Sequence, residues 1–409
     1  MKMFNLRQTI SIVIICMLLT SVISYVAFSS GSTQNVYLDD LPATATYTVK
    51  TDDTNFWAVR DDGKQLWYST NASYVFQSIL EDSPNDADIF IKKGTYPNVT
   101  ISIPHSTADR NIIIRGAGVR NTIIKGGAIA TDSYIFGSEQ ASWQKSHVTL
   151  DDLTIEGTGV EQRGVYLPYT HLDIGKLEIT GSFAAPAKMI EAGGAGASCR
   201  PCTIRELTIY PSGGVATEMA RFWYEGLNIV NLGLIATNIS PETYLRILGT
   251  HVTIQNLICY LGGGKSSTRI VYCDDAHLNI QNLFFARDAV PASLPFLVKA
   301  GGAAEASVVI GAVNTNGLSL ASTPLFFEDA ASRARTKLLG TFNMAQLAGN
   351  STGTGAQQTI AHGLNVIPTR VILWNIEDGA NPYQSAAADD TKIYITAVSG
   401  KDYGWKVEI

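Results

Sequence analysis

The sequence predicts an all-β fold, a right-handed parallel β-helix, and two observations carry the prediction: a repeating octet and the chemistry of its columns. Apolar residues occupy positions one, three, six and eight of an eight-residue pattern that occurs six times, at 148–155, 172–179, 202–209, 227–234, 252–259 and 278–285. Position six is leucine in every copy, and successive copies start 24 to 30 residues apart with Gly, Ser and Pro concentrated between them. Alternation at positions one and three describes a strand with one buried face, and the step from three to six resets the phase as a bend between two strands does. Helical repeats do not fit, because β-branched residues dominate and no sustained 3.6-residue period lies between the octets.

Stacked coils place equivalent positions about 4.8 Å apart, so each alignment column becomes a ladder. Position five reads Asp152, Lys176, Glu206, Asn231, Asn256, Asn282. Opposite charges one rung apart attract and stacked asparagine amides hydrogen-bond to one another, so a structural role at the bend is expected. Histidines form a second column: His147, His171, His251 and His277 each stand immediately before position one of their copies. Alternation points them outward, with His147 beside His171 and His251 beside His277 on neighbouring rungs.

With 409 residues and 45% hydrophobic content, the chain is too apolar to be disordered. A net charge of −6 without any Lys/Arg-rich block excludes a nucleic-acid partner, which requires a basic stripe. Lys2 and Arg7 precede an apolar run of 19 residues, 10–28, followed by a polar stretch, so 1–33 is either a signal peptide or an N-terminal membrane anchor. Ala27-Phe28-Ser29 offers a small-x-small cleavage site, while the run nearly reaches the roughly 20 residues that span a bilayer. A secreted or cell-surface location follows, a virion surface included. Sequons at Asn71, Asn98, Asn238 and Asn350 agree with an extracellular glycoprotein. Beyond the signal, Cys199, Cys202, Cys259 and Cys273 are candidates for disulfides, with buried thiols as the other reading.

Residues 34–70 read as a β-hairpin lead-in, with Asp61-Asp62-Gly63 as its turn. The solenoid is expected over 71–345, a Gly/Ser/Thr/Gln linker over 346–358 and a small β-sandwich-like domain over 359–409. In that last domain Trp374, Tyr394, Tyr403 and Trp405 fit either a sugar-stacking platform or a hydrophobic core.

Three passages, Asp88 through Tyr96 (DIFIKKGTY), Asn111 through Gly118 (NIIIRGAG) and Asn121 through Gly126 (NTIIKG), resemble the opening coils of the pectin-lyase-like superfamily. The preceding amphipathic stretch, with Ala72, Val75, Phe76, Ile79 and Leu80 apolar, resembles the short helix that plugs the N-terminal end of such proteins and shields an open sheet edge. The resemblance covers about 71–330 and implies the fold rather than an activity. The C-terminal segments 359–364 (TIAHGL) and 367–369 (IPT) are similar to a small β domain at the ends of phage tail fibres and other surface proteins.

Many members of the superfamily cleave acidic polysaccharides, so the resemblance implies a search for outward acids that bind calcium or act in pairs. Asp173 and Glu178, with Asp151, are the candidates. Asp173 and Glu178 lie five residues apart on one rung, about 16 Å if extended, against about 5 to 9.5 Å for paired glycosidase carboxylates. The wider group Asp151, Glu156, Asp173 and Glu178 is interrupted by Lys176 and Thr154, which does not suit calcium. Fragments similar to polygalacturonase motifs, Asn314-Thr315-Asn316-Gly317, Asp274-Asp275 and His362-Gly363, depart from that family in residue type and order, and no catalytic role is carried over. The four column histidines are the candidate metal ligands, with Asp173 or Asp275 beside them.

No cofactor is identified. The leading reading is an exported surface β-helix without catalysis that presents a face to a glycan or a protein, with a homotrimer among the assemblies its shape allows. The alternative is a polysaccharide lyase or glycoside hydrolase, for which calcium would be the cofactor. The loops expected between rungs, above all 182–198 and 286–305, are the segments left to build a site that the octet alignment does not show.

Overall fold

The computed structural model describes residues 45–83, 86–104, 110–127, 134–138, 146–194, 202–249, 251–263, 265–287, 296–301, 306–316, 330–339, 342–343, 348–361, 368, 370–376, 381–389 and 392–408. The apolar segment 10–28, Cys199, and His362 with Gly363 lie outside them. Among the described residues no helix is long and apolar enough to cross a membrane.

The octets stack in register into a parallel β-solenoid of about seven turns. Position three forms one ladder, Leu150, Ile174, Ile204, Ile229, Ile254, Ile280, extended below by Ile114 and above by Ile310. The position-six leucines form the next, Leu153, Leu177, Leu207, Leu232, Leu257 and Leu283, all buried. These columns are the core of the first two sheets, and the phase change at positions four and five is the corner between them. Asp152 turns that corner with a φ of 53°.

A third parallel sheet occupies the connections between octets. Its buried ladder runs Val165, Ile190, Ala220, Leu245, Val271, Val298. The single strands His171–Gly193 and Cys202–Trp223 pass through sheet after sheet without a loop. The expectation of loops is corrected accordingly: within 182–198 the chain remains strand as far as Gly193, and within 286–305 it forms the strand Phe296–Gly301. Gly181, at φ 89° with a register shift just after it, bends the strand while its backbone pairing continues, so a small-residue stretch that reads as a turn remains part of the ladder.

Both ends of the solenoid carry covering elements. Strands Phe56–Arg60 and Gln65–Ser69 form the expected hairpin around Gly63, φ 80°, and Tyr47–Thr51 adds a third antiparallel strand. Tyr47 to Val49 also pairs in parallel with Ile89 to Ile91, so the lead-in is continuous with the first sheet. The helix Ala72–Asp82 buries Ala72, Val75, Phe76, Ile79 and Leu80, the apolar set read from the sequence. Buried Arg110 donates to the carbonyl oxygens of Leu80 and Ser83 and satisfies the end of that helix. At the other end Ser332, in the short helix Ala330–Ala334, accepts the Ala300 amide proton from the last described strand of the third sheet at 3.0 Å.

The C-terminal segment forms two three-stranded antiparallel sheets. One contains Ala348–Thr352, Asp402–Glu408 and Arg370–Asn375; the other contains Gln357–Ala361, Lys392–Thr396 and Tyr383–Ala386. The expected linker at 346–358 is therefore corrected, since two strands begin in it. Ala348–Thr352 is an edge strand whose register is set by backbone pairing with residues 402–406 rather than by apolar alternation, so its composition resembles a linker. Ile393, Ile395, Tyr403, Trp405 and Val407 supply buried side chains.

Candidate recognition face

The structure assigns each acid singled out from the sequence to a separate partner. Asp173 accepts from the Thr203 amide at 2.6 Å and lies 2.8 Å from His147 Nε2. Glu178 is buried and accepts a bidentate contact from Arg120, with Nε at 3.1 and 3.0 Å from its two oxygens. Asp151 accepts the Lys176 amide proton at 2.7 Å and reaches Arg205 at 3.4 Å, passing over Gly175, where a side chain would overlap its carboxylate. Glu156 pairs with Lys125 at 2.6 Å. Asp173 is on the first sheet and Glu178 on the second, as their spacing implied. Burial opposes ionisation of Asp173, yet the hydrogen bonds from His147 and the Thr203 amide outweigh it and hold the carboxyl below the ordinary value.

The histidine and asparagine columns align as read. His147 and His171 are register partners with ring centroids 6.2 Å apart, and His251 and His277 are register partners at 5.3 Å. Among the described residues no group of three or more His, Cys, Asp or Glu side chains is arranged to hold a metal ion. Lys176 pairs with Glu206 at 3.1 Å, Asn256 donates to Asn231 at 2.9 Å and Asn282 donates to Asn256 at 3.0 Å. Asn256→Ala removes both amide bonds of the middle rung and is expected to cost about 1 kcal/mol, read from the shift of a urea midpoint at unchanged slope.

Cys202 is buried in the solenoid core, while Cys199 is outside the described residues. Cys259 and Cys273 are buried thiols and are not bridged to each other, which corrects that candidate disulfide: Cys259 lies in the second sheet and Cys273 in the third. Burial pushes the Cys273 thiol up to about 12, and the thiol donates to the Ala276 carbonyl at 3.1 Å. Both thiols are therefore expected to resist an aromatic disulfide reagent at pH 8 and to react when the chain is unfolded in guanidinium, a difference followed by absorbance. Asn71, Asn98, Asn238 and Asn350 are all exposed.

Octet alignment missed the outward face of the third sheet. One column there reads Tyr166, Glu191, Arg221, Arg246, Tyr272, Lys299, one residue per rung, between buried columns on both sides. Glu191 is its hub: Arg163 lies 3.0 Å away, Lys188 3.1 Å and Arg221 3.2 Å. Arg246 bridges two carboxylates, Glu218 at 2.9 Å and Asp274 at 2.6 Å. Arg163 stacks on Tyr166 at 4.3 Å, and Tyr272 meets Arg246 at 4.9 Å and Arg269 at 5.3 Å. Burial opposes ionisation of Glu191, but Lys188, Arg221 and Arg163 overcome it and hold the carboxyl below the ordinary range. Beside this column a cavity of about 320 Å³ is lined by Pro186, Thr217, Ser240, Pro241, Glu242 and Ser267, and Glu242 pairs with Arg269 at 3.1 Å.

The signal for this column is an apolar-outward-apolar triplet in each coil. Val165-Tyr166-Leu167 begins 17 residues after Val148, and Val298-Lys299-Ala300 begins 20 residues after Leu278. Guanidinium groups offer planar sets of donors, the carboxylates accept, and the tyrosine rings supply flat apolar surface, so the face combines the contacts that bind polyhydroxylated or charged ligands.

Fold and face together define an extended parallel β-solenoid with a polar, aromatic outer column. No family model matches the chain, and no curated protein matches it. Among solved structures, the tailspike gp61 of Pseudomonas phage phi297 is 12% identical and aligns over 82% of this chain and 91% of that chain, with a TM-score of 0.22. At that score the likeness carries no argument, and the solenoid rests on this chain's own strand register.

Proposed function

We propose that the protein is an exported surface-recognition scaffold whose third sheet presents the Tyr166 to Lys299 column to an extended glycan. The observation that supports this is the run of arginine, carboxylate and tyrosine side chains, one per rung, on a parallel sheet paired rung to rung. Such a surface holds its donors and rings in place before a ligand arrives, which lowers the ordering cost of binding. A linear polymer can lie along successive rungs and repeat the same contacts at each one. The acids singled out from the sequence are occupied by Arg120, Arg205, Lys125 and His147, a pattern that supports recognition over cleavage.

A glycan array probed with the wild-type chain and with Arg221→Ala and Tyr272→Ala tests the reading, with thermal unfolding as a check on folding. Binding reduced at least tenfold in both folded variants is the expected result. Binding that survives both substitutions, or that is absent from the wild type, overturns it. Release of reducing ends or unsaturated products from a polysaccharide, abolished by Asp173→Ala or Glu178→Ala, would instead establish the lyase or hydrolase.

A further inference from the structure

The C-terminal sheets carry an exposed indole, Trp374, apart from the solenoid column. In the sheet made by Ala348–Thr352, Asp402–Glu408 and Arg370–Asn375, one cross-strand row consists of Asn350, Gly404 and Trp374. Tyr403 and Trp405 on either side of Gly404 are each 1% exposed, so by alternation Gly404 and its row partners face away from the core. Trp374 is 42% exposed. Its indole lies across Gly404, where a methyl group would overlap indole Cε2, Cζ2 and Nε1. One face of the ring is thus seated on backbone and held flat, which restricts the side chain without burying it.

The surroundings of the ring are selective. In the next row Thr352 donates to Asp402 Oδ1 at 2.6 Å, and Ile376, 47% exposed, extends the apolar surface from Trp374. Besides Ile376, the outward rows of this sheet carry polar groups: the Asn350 amide stands in the row of Gly404 and Trp374, and the Asp402 carboxylate in the next outward row. A pyranose ring matches that arrangement: its C–H face stacks on the indole, and its hydroxyl rim reaches an amide, which both donates and accepts, and a carboxylate, which accepts.

We propose that Trp374, seated on Gly404 and flanked by Asn350 and Asp402, is a pyranose-binding site. Asn350 begins the Asn-Ser-Thr sequon, so the sugar has two sources: a ligand from outside, or a glycan carried by Asn350 itself, one strand beyond Gly404 from the indole. The same stacking chemistry serves both.

Two arms separate the sources. The full chain produced in a bacterial host, without N-glycans, is titrated with methyl pyranosides and short oligosaccharides of glucose, galactose, mannose and N-acetylglucosamine, following tryptophan fluorescence. The chain secreted from animal cells is compared before and after enzymatic removal of N-glycans, by mass spectrometry at Asn350 and by thermal unfolding. Saturable binding weakened at least tenfold by Trp374→Ala, and untouched by Tyr74→Ala at an exposed ring of the helix Ala72–Asp82, supports the external source. A loss of Tm on deglycosylation that is present in wild type and absent in both Trp374→Ala and Asn350→Gln supports the attached one. Trp374→Phe should keep a reduced response in either arm, which separates stacking from folding. No response to any sugar together with no such coupling overturns the proposal, as does a change in sedimentation mass caused by Trp374→Ala, which would make the indole a contact between copies.

Discussion

Glu191→Gln is expected to destabilise the solenoid by about 2 to 3 kcal/mol at pH 7, although the new side chain has nearly the same shape. The carboxylate neutralises Arg163, Lys188 and Arg221, all within 3.2 Å of it and all held on the same sheet. An amide in its place leaves three cations facing one another on a partly buried surface, with two donors of its own pointed among them. The folded-state pKa of Glu191 is depressed, so its contribution is present above the unfolded value of about 4.3 and is lost as pH falls through the lower folded value. Guanidinium unfolding curves of wild type and variant should therefore differ most near neutral pH and converge in acid. A gap that persists undiminished when Glu191 is protonated would assign the loss to packing instead.

Leu207→Ala is expected to cost about 3 kcal/mol, within the range for a buried leucine whose site cannot collapse. Leu207 is fully buried between Leu177 and Leu232 in the position-six ladder, and its neighbours are fixed by backbone pairing on both rungs. That pairing prevents the coil from closing over the void. In a stacked architecture each coil contacts only its neighbours, so the damage should spread one rung in either direction. Hydrogen exchange is the measurement: amides of His171–Gly193, Cys202–Trp223 and Leu227–Ala236 should exchange faster, and the helix Ala72–Asp82 should be unchanged. Uniform acceleration over the whole chain would mean that the solenoid unfolds as one unit.

The octet carried the fold because a solenoid repeats its local chemistry. Each coil buries residues at the same positions, and register then follows from stacking like on like, as in the leucine ladder and the asparagine rungs Asn231, Asn256 and Asn282. The capping helix was equally legible, since five apolar residues at helical spacing have to be buried somewhere. The hairpin at Gly63 followed from turn chemistry alone. The C-terminal edge strand was not legible, because Ala348–Thr352 is defined by whom its backbone pairs with.

The sequence by itself thus determined the coil, its period, the inward columns, the histidine and asparagine ladders and the end cap, because each shows as a repeat at a fixed place in the coil or as a local apolar period. Only the tertiary structure decided which charges meet on the third sheet. Glu191 draws its partners from rungs 28 and 30 residues away, Arg163 and Arg221, and Arg246 bridges acids 28 residues away on each side. Ion pairing depends on distance in space, and the bends that bring these strands into line are set by backbone geometry at residues such as Gly181 rather than by hydrophobic period. The same reason hid the seat of Trp374: its exposure depends on Gly404, a neighbour only across the sheet.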